Sequence, residues 1–65
     1  MVHTGIVRSF SPETRQGVIT CDLGGDVHFS AEHVHCKKLP QTGYMVEFKY
    51  DESAAGMWAM DIRFL

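Results

Sequence analysis

The chain has few of the features that mark a specialised small protein. Two cysteines, Cys21 and Cys36, allow one bridge at most, which excludes the dense disulfide framework of small secreted domains. Both read as free thiols. Six Lys and Arg against eight Asp and Glu give a net charge of −2, so the field of the whole molecule does not draw in a polyanion. The cations Arg8, Arg15, Lys37, Lys38, Lys49 and Arg63 are scattered rather than gathered into a basic patch. Uncharged runs are short, Ser53–Met60 being among the longest, and no basic segment leads into an apolar one at the start of the sequence. A membrane-spanning helix and a secretory leader are therefore not expected, and the expectation is a soluble, cytoplasmic protein. Glycine-rich phosphate loop, paired-carboxylate motif and nucleophile elbow are all missing. Cys36 follows His35, but consecutive positions on a strand face opposite ways, and a nucleophile needs a base within reach. The protein is expected not to be an enzyme and to take neither a cofactor nor a small-molecule substrate.

What is present suffices for one small fold. With 65 residues and 7.3 kDa, residues 1–65 make a single domain, and such a chain buries only roughly 60% of its unfolded surface. A hydrophobic fraction of 45%, with seven Phe, Trp and Tyr residues, is enough to seed a core. Tyr44, Val46, Phe48 and Tyr50 alternate with Met45, Glu47 and Lys49, the period-two signature of a half-buried strand. Trp58, Met60, Ile62 and Phe64 alternate in the same way with Ala59, Asp61 and Arg63. The link Asp51–Gly56 has the length of a hairpin loop, so these two strands are expected to pair antiparallel.

Three shorter strands precede them. Gly5–Phe10 is stopped by Ser11-Pro12, because proline cannot donate to a ladder. Gly17–Cys21 follows, then the turn Asp22-Leu23-Gly24-Gly25, then Asp26–Ser30. Ser30–Thr42 lacks alternation and reads as a loop with one helical turn at most, capped by Ser30. Val7, Phe10, Ile19, Val27, Val46 and Ile62 are the expected core. Five short strands without a long helix point to an all-β protein, a small five-stranded antiparallel barrel, closed or partly open, that leaves few exposed sheet edges. His33, His35 and Cys36 carry donors suited to zinc or copper, but a four-ligand site would need His28, His3 or Cys21 from elsewhere, and a solvated loop is the expectation. Trp58, Met57, Met60, Phe64 and Leu65 load the last strand with more apolar bulk than so small a barrel can cover, which suits a dimer contact.

The segments Gly5–Thr20 (GIVRSFSPETRQGVIT) and Gly24–Ala31 (GGDVHFSA) resemble the cold-shock domain family. Gly5, Val7, Arg8, Phe10, Gly17 and Ile19 stand at matching places in its opening pattern, and Val27-His28-Phe29-Ser30 reproduces the end of its third strand. Leu39, Gly43 and Val46-Glu47-Phe48 are similar to the entry to its fourth strand, and Gly56, Ala59 and Ile62 to its fifth. The resemblance covers nearly the whole chain. It implies an oligonucleotide-binding (OB) barrel whose second and third strands present aromatics to the bases of single-stranded RNA or DNA.

Many of those aromatics are replaced. The family's first-strand tryptophan falls on Ser9, its second-strand phenylalanines on Gln16 and Val18, its third-strand phenylalanine on Asp26, and its loop aromatic on His35. Arg8 is retained, the turn lysine becomes Thr14 followed by Arg15, and a basic pair in the last hairpin becomes Ala54-Ala55. Stacking is worth roughly 1–3 kcal/mol per base, so three or four lost platforms remove on the order of 3–12 kcal/mol. The resemblance thus implies weak single-stranded RNA or DNA binding through Arg8, Arg15, Gln16, Val18, His28 and Phe29. The alternative is a barrel that has lost nucleic-acid binding and serves as a protein-interaction or homodimerisation module through its apolar last strand.

Overall fold

The structure, a computed structural model, describes residues 2–35, 39–53 and 56–65, with backbone alone at 51–53, 56 and 57. Its elements are β1 (Val2–Ser11), β2 (Gln16–Cys21), β3 (Asp26–Ser30), a 3₁₀ turn (Ala31–His33), β4 (Met45–Ser53) and β5 (Gly56–Phe64). The strands close into a barrel in the order β1-β2-β3-β5-β4, the all-β architecture expected. No helix among the described residues is long and apolar enough to cross a membrane.

Local chemistry accounts for the first three strands. β1 and β2 pair from Gly5↔Cys21 to Ser11↔Gln16, and the turn between them closes with the Arg15 amide donating to the Ser11 carbonyl at 2.8 Å. Arg15 sits there at φ 59°, a left-handed conformation that a residue with a Cβ adopts only when its surroundings hold it. β2 and β3 pair from Gln16↔Ser30 to Thr20↔Asp26 around the glycine turn. Alternation then sends Val27 and Phe29 inward and Asp26 and His28 outward.

Val7, Ile19, Cys21, Val27, Phe29, Val46, Phe48, Ala59 and Ile62 form the buried core. Phe10 packs partly buried on its rim, stacked on Phe29 with ring centroids 5.9 Å apart. Among the described residues no charged side chain is buried. Gly17 makes room for this packing: a Cβ there would meet the Phe29 ring at 2.7 Å. Cys21 is a free, buried thiol. The Tyr50 hydroxyl donates to its Sγ at 2.7 Å, and that hydrogen bond, with burial, pushes the Tyr50 phenol up to about 12.

The C-terminal hairpin departs from the sequence reading in two ways. Asp51, Glu52 and Ser53 pair with Trp58, Met57 and Gly56, so both strands run on through most of the segment expected as a loop; Ala54-Ala55 lie outside the described residues. The alternation of β5 is also broken. The register slips between Glu47↔Arg63 and Lys49↔Met60, and Asp61, at φ 50°, is the extra residue of a bulge. Before the bulge Ala59 points into the core, after it Ile62 does, and both are buried. Unbroken alternation would place Trp58 and Met60 on one face with Ile62; the bulge puts Trp58 on the outer wall instead.

The single helical turn expected after β3 is present. Ser30 stands at its cap position but makes no capping bond, its hydroxyl donating to Glu32 Oε1 at 3.2 Å instead.

Candidate nucleic-acid interface

Cα partners line up across four strands as Ser9↔Val18↔His28↔Trp58. Adjacent strands lie about 4.8 Å apart, so this row spans on the order of 15 Å of outer wall. Its far half carries the rings. His28 is exposed, Trp58 half-buried, and their centroids are 5.9 Å apart with planes tilted by 44°. Val18, half-buried, floors the middle of the row, and Ser9, exposed, closes its near end.

The structure assembles most of the expected site residues on this wall. Gln16 is one side-chain repeat along β2 from Val18 and is exposed, and Arg15 precedes it in the turn, also exposed. Arg15 has no ion pair among the described residues. At the opposite edge Arg8 donates from Nη1 to Asp26 Oδ2 at 2.6 Å. Asp26 also accepts from the Thr20 hydroxyl at 3.3 Å. Arg8 can reach across β2 because β1 bulges between Val7 and Ser9, which turns both Arg8 and Ser9 to solvent. Asp26, an acid that would repel phosphate on this face, is thus neutralised by Arg8, one of the cations expected to contact nucleic acid. Both effects are muted together.

Phe29 does not belong to the site. Its relative exposure is 0%; it follows His28 on the same strand and so faces the opposite way, beneath Gly17. Trp58 takes its place as the second ring, a residue expected from the sequence to belong to the surplus apolar bulk that suits a dimer contact. Only the Asp61 bulge turns it outward, and the alternation of β5 gives no sign of the bulge; the signal that was available is a glycine-less Asp in a strand, weak by itself.

The His33, His35 and Cys36 cluster is not assembled among the described residues. His35 Nε2 lies 3.0 Å from Asp61 Oδ1, and Cys36 falls outside the described residues. The His35 hydrogen bond is the main cause holding the Asp61 carboxyl below its ordinary value, with Lys49 at 3.8 Å adding to it. Leu65 is exposed at the end of the chain, as expected for part of the surplus apolar bulk, whereas the Met57 side chain falls outside the described residues.

No family model matches the sequence, and no curated protein matches it. The structure, however, matches a solved Drosophila Unr structure, CSD456, with a TM-score of 0.84 at 18% identity. The match covers 100% of this chain and 27% of the Unr chain. This domain therefore spans about a quarter of the length of that relative. The likeness shows the fold, a five-stranded cold-shock-like barrel.

Proposed function

We propose that this protein, a cold-shock-like barrel, binds single-stranded RNA or DNA weakly on the outer wall formed by β1, β2, β3 and β5. His28 and Trp58 are the stacking pair, Arg15 and Gln16 hold the phosphate and polar edge at one end, and the Arg8–Asp26 pair bounds the other. The observation that carries this reading is the row Ser9, Val18, His28, Trp58, which sets two neighbouring rings on an exposed wall of a fold that binds nucleic acid. Two platforms supply roughly 2–6 kcal/mol. With one unpaired cation added, dissociation constants on the order of 100 µM follow. The role is binding rather than catalysis, in a soluble, cytoplasmic setting where thiols such as Cys21 stay reduced.

Trp58 is the sole tryptophan, so its own fluorescence reports occupancy. Titration with oligouridine or oligothymidine at low salt is expected to quench it. Trp58→Leu and His28→Ala, followed by anisotropy of a labelled strand, should each weaken binding about 5- to 150-fold, the equivalent of roughly 1–3 kcal/mol. Unchanged fluorescence at high micromolar strand, or full affinity in both variants, rules the reading out.

A second reading, self-association, is favoured by a separate apolar patch. Ile6 and Met45 are Cα partners, the Leu65 amide donates to the Met45 carbonyl, and all three side chains are exposed. A second copy is the occupant this largely apolar surface suits. Sedimentation should then show a concentration-dependent dimer abolished by Met45→Glu; a monomer throughout refutes it.

A further inference from the structure

Away from the binding wall, at the end of the barrel where β1 begins and β2 ends, His3, Cys21 and Asp22 bring one potential ligand atom each to within 4.8 Å of one another. We propose that these three side chains form a site for a zinc-type divalent ion, with an imidazole, a thiolate and a carboxylate as protein ligands and a fourth position left to water. Ligands around a tetrahedral zinc at bond lengths of about 2.0–2.3 Å are roughly 3.3–3.8 Å apart. Cys21 Sγ and Asp22 Oδ1 already stand at 3.4 Å. The remaining donors have to close by about 1.5 Å at most, within the reach of a χ rotation of His3 at the start of its strand.

The surroundings have the organisation that metal ligands require. The Asp22 carboxylate is divided between two tasks: Oδ2 accepts from the Thr4 hydroxyl at 2.7 Å, which fixes the group, while Oδ1 is turned to Cys21. Such outer hydrogen bonds orient a ligating carboxylate. Tyr50 donates its hydroxyl to Cys21 Sγ and lies against the His3 ring at a centroid distance of 4.3 Å, so one residue positions two ligands. The backbone holds the turn as well, with the Asp22 amide donating to the Thr4 carbonyl at 2.9 Å and the Cys21 amide to the Gly25 carbonyl at 3.0 Å. A groove lined by Thr4, Ile6, Thr20, Asp22 and Met45 reaches Cys21 from solvent, giving an ion a way in. A mixed N, S, O set selects a borderline ion over Mg²⁺ or Ca²⁺, which prefer oxygen alone. On binding, the Cys21 thiol releases its proton to solvent and its sulfur lone pair forms the bond to the ion.

The test uses the reduced, chelator-treated full chain in a Cys36→Ser background, so that Cys21 is the only thiol. Zn²⁺ is titrated against a chromophoric chelator, and Co²⁺ is added separately to read the thiolate-to-metal absorption band. One equivalent of Zn²⁺ is expected to bind at low micromolar concentration or tighter, with a Co²⁺ thiolate band. His3→Gln and Asp22→Asn should each weaken binding roughly tenfold or more, and Tyr50→Phe by a comparable factor. Should Cys21→Ser unfold, His3→Gln and Asp22→Asn, whose side chains lie toward the surface, decide the matter with circular dichroism confirming the barrel. Failure of the Cys36→Ser protein to bind Zn²⁺, or equal affinity with and without His3, overturns the proposal. Oligonucleotide binding plays no part in any of these outcomes.

Discussion

Replacing Asp26 by asparagine is expected to strengthen oligonucleotide binding, although it touches no stacking ring. Asp26 holds the Arg8 guanidinium at 2.6 Å, with the two side chains 41% and 64% exposed. Pairs this open to water contribute about 0–1 kcal/mol to stability, so the fold tolerates the change, and asparagine keeps an oxygen for Thr20. The freed Arg8 gains one phosphate. Each phosphate neutralised on a single strand contributes about −0.7 to the slope of log K against log salt. Between 1 M and 50 mM salt that amounts to about 0.9 log units, hence an eightfold gain, about 1.2 kcal/mol. At 0.5 M the same arithmetic leaves less than about twofold. Anisotropy of a labelled oligouridine across a salt series reads both quantities. Arg8→Ala should cancel the gain in the Asp26→Asn background and, in the wild-type background, should weaken binding by leaving the Asp26 carboxylate uncompensated. A gain that survives Arg8→Ala in the Asp26→Asn background refutes the reasoning.

Three further outcomes are expected. Phe29→Ala should cost about 3–5 kcal/mol in urea denaturation, while the milder Phe29→Leu should leave oligonucleotide affinity unchanged; a specific loss of affinity in a stable Phe29→Leu barrel would return that ring to the site. Gly17→Ala should cost about 1–3 kcal/mol by urea denaturation, because the added methyl overlaps both the Ser9 carbonyl oxygen and the Phe29 ring; full stability would show that the β1 backbone and the ring both yield freely. Asp61 is held below its ordinary value of 3.8 by His35, and a depressed carboxyl contributes stability that is present above that value and lost as pH falls through the folded one. Asp61→Asn keeps a residue tolerant of the left-handed backbone, so its melting temperature should lie below wild type at neutral pH and converge with it in acid. Parallel profiles would count against the pairing.

The first half of the barrel was legible because its turns announce themselves. Ser11-Pro12 and Gly24-Gly25 interrupt short β-prone runs, and the alternation of Asp26, Val27, His28 and Phe29 fixes a register that tertiary packing has no reason to break. That alternation also bars Phe29 from the face His28 occupies, so the error there came from carrying over a motif without its pleat. Two other features had no local signature. The Arg8–Asp26 pair joins residues 18 positions apart on strands that are not neighbours and depends on a bulge in β1. The outward turn of Trp58 depends on a positive φ three residues later. In both cases one extra residue shifts a period of two by a half-cycle, which composition and hydrophobic pattern do not record.

The junction between β3 and β5 has a mechanical meaning. Among the described residues these two strands meet in the single register pair His28↔Trp58, reinforced beyond the strand end by the bridge Val34↔Ile62, whereas every other neighbouring pair shares a long ladder. The cylinder is thus least securely fastened along the line its two outer rings straddle. On the proposed reading, a base laid across both rings would bridge that line, coupling cargo capture to the integrity of the wall itself.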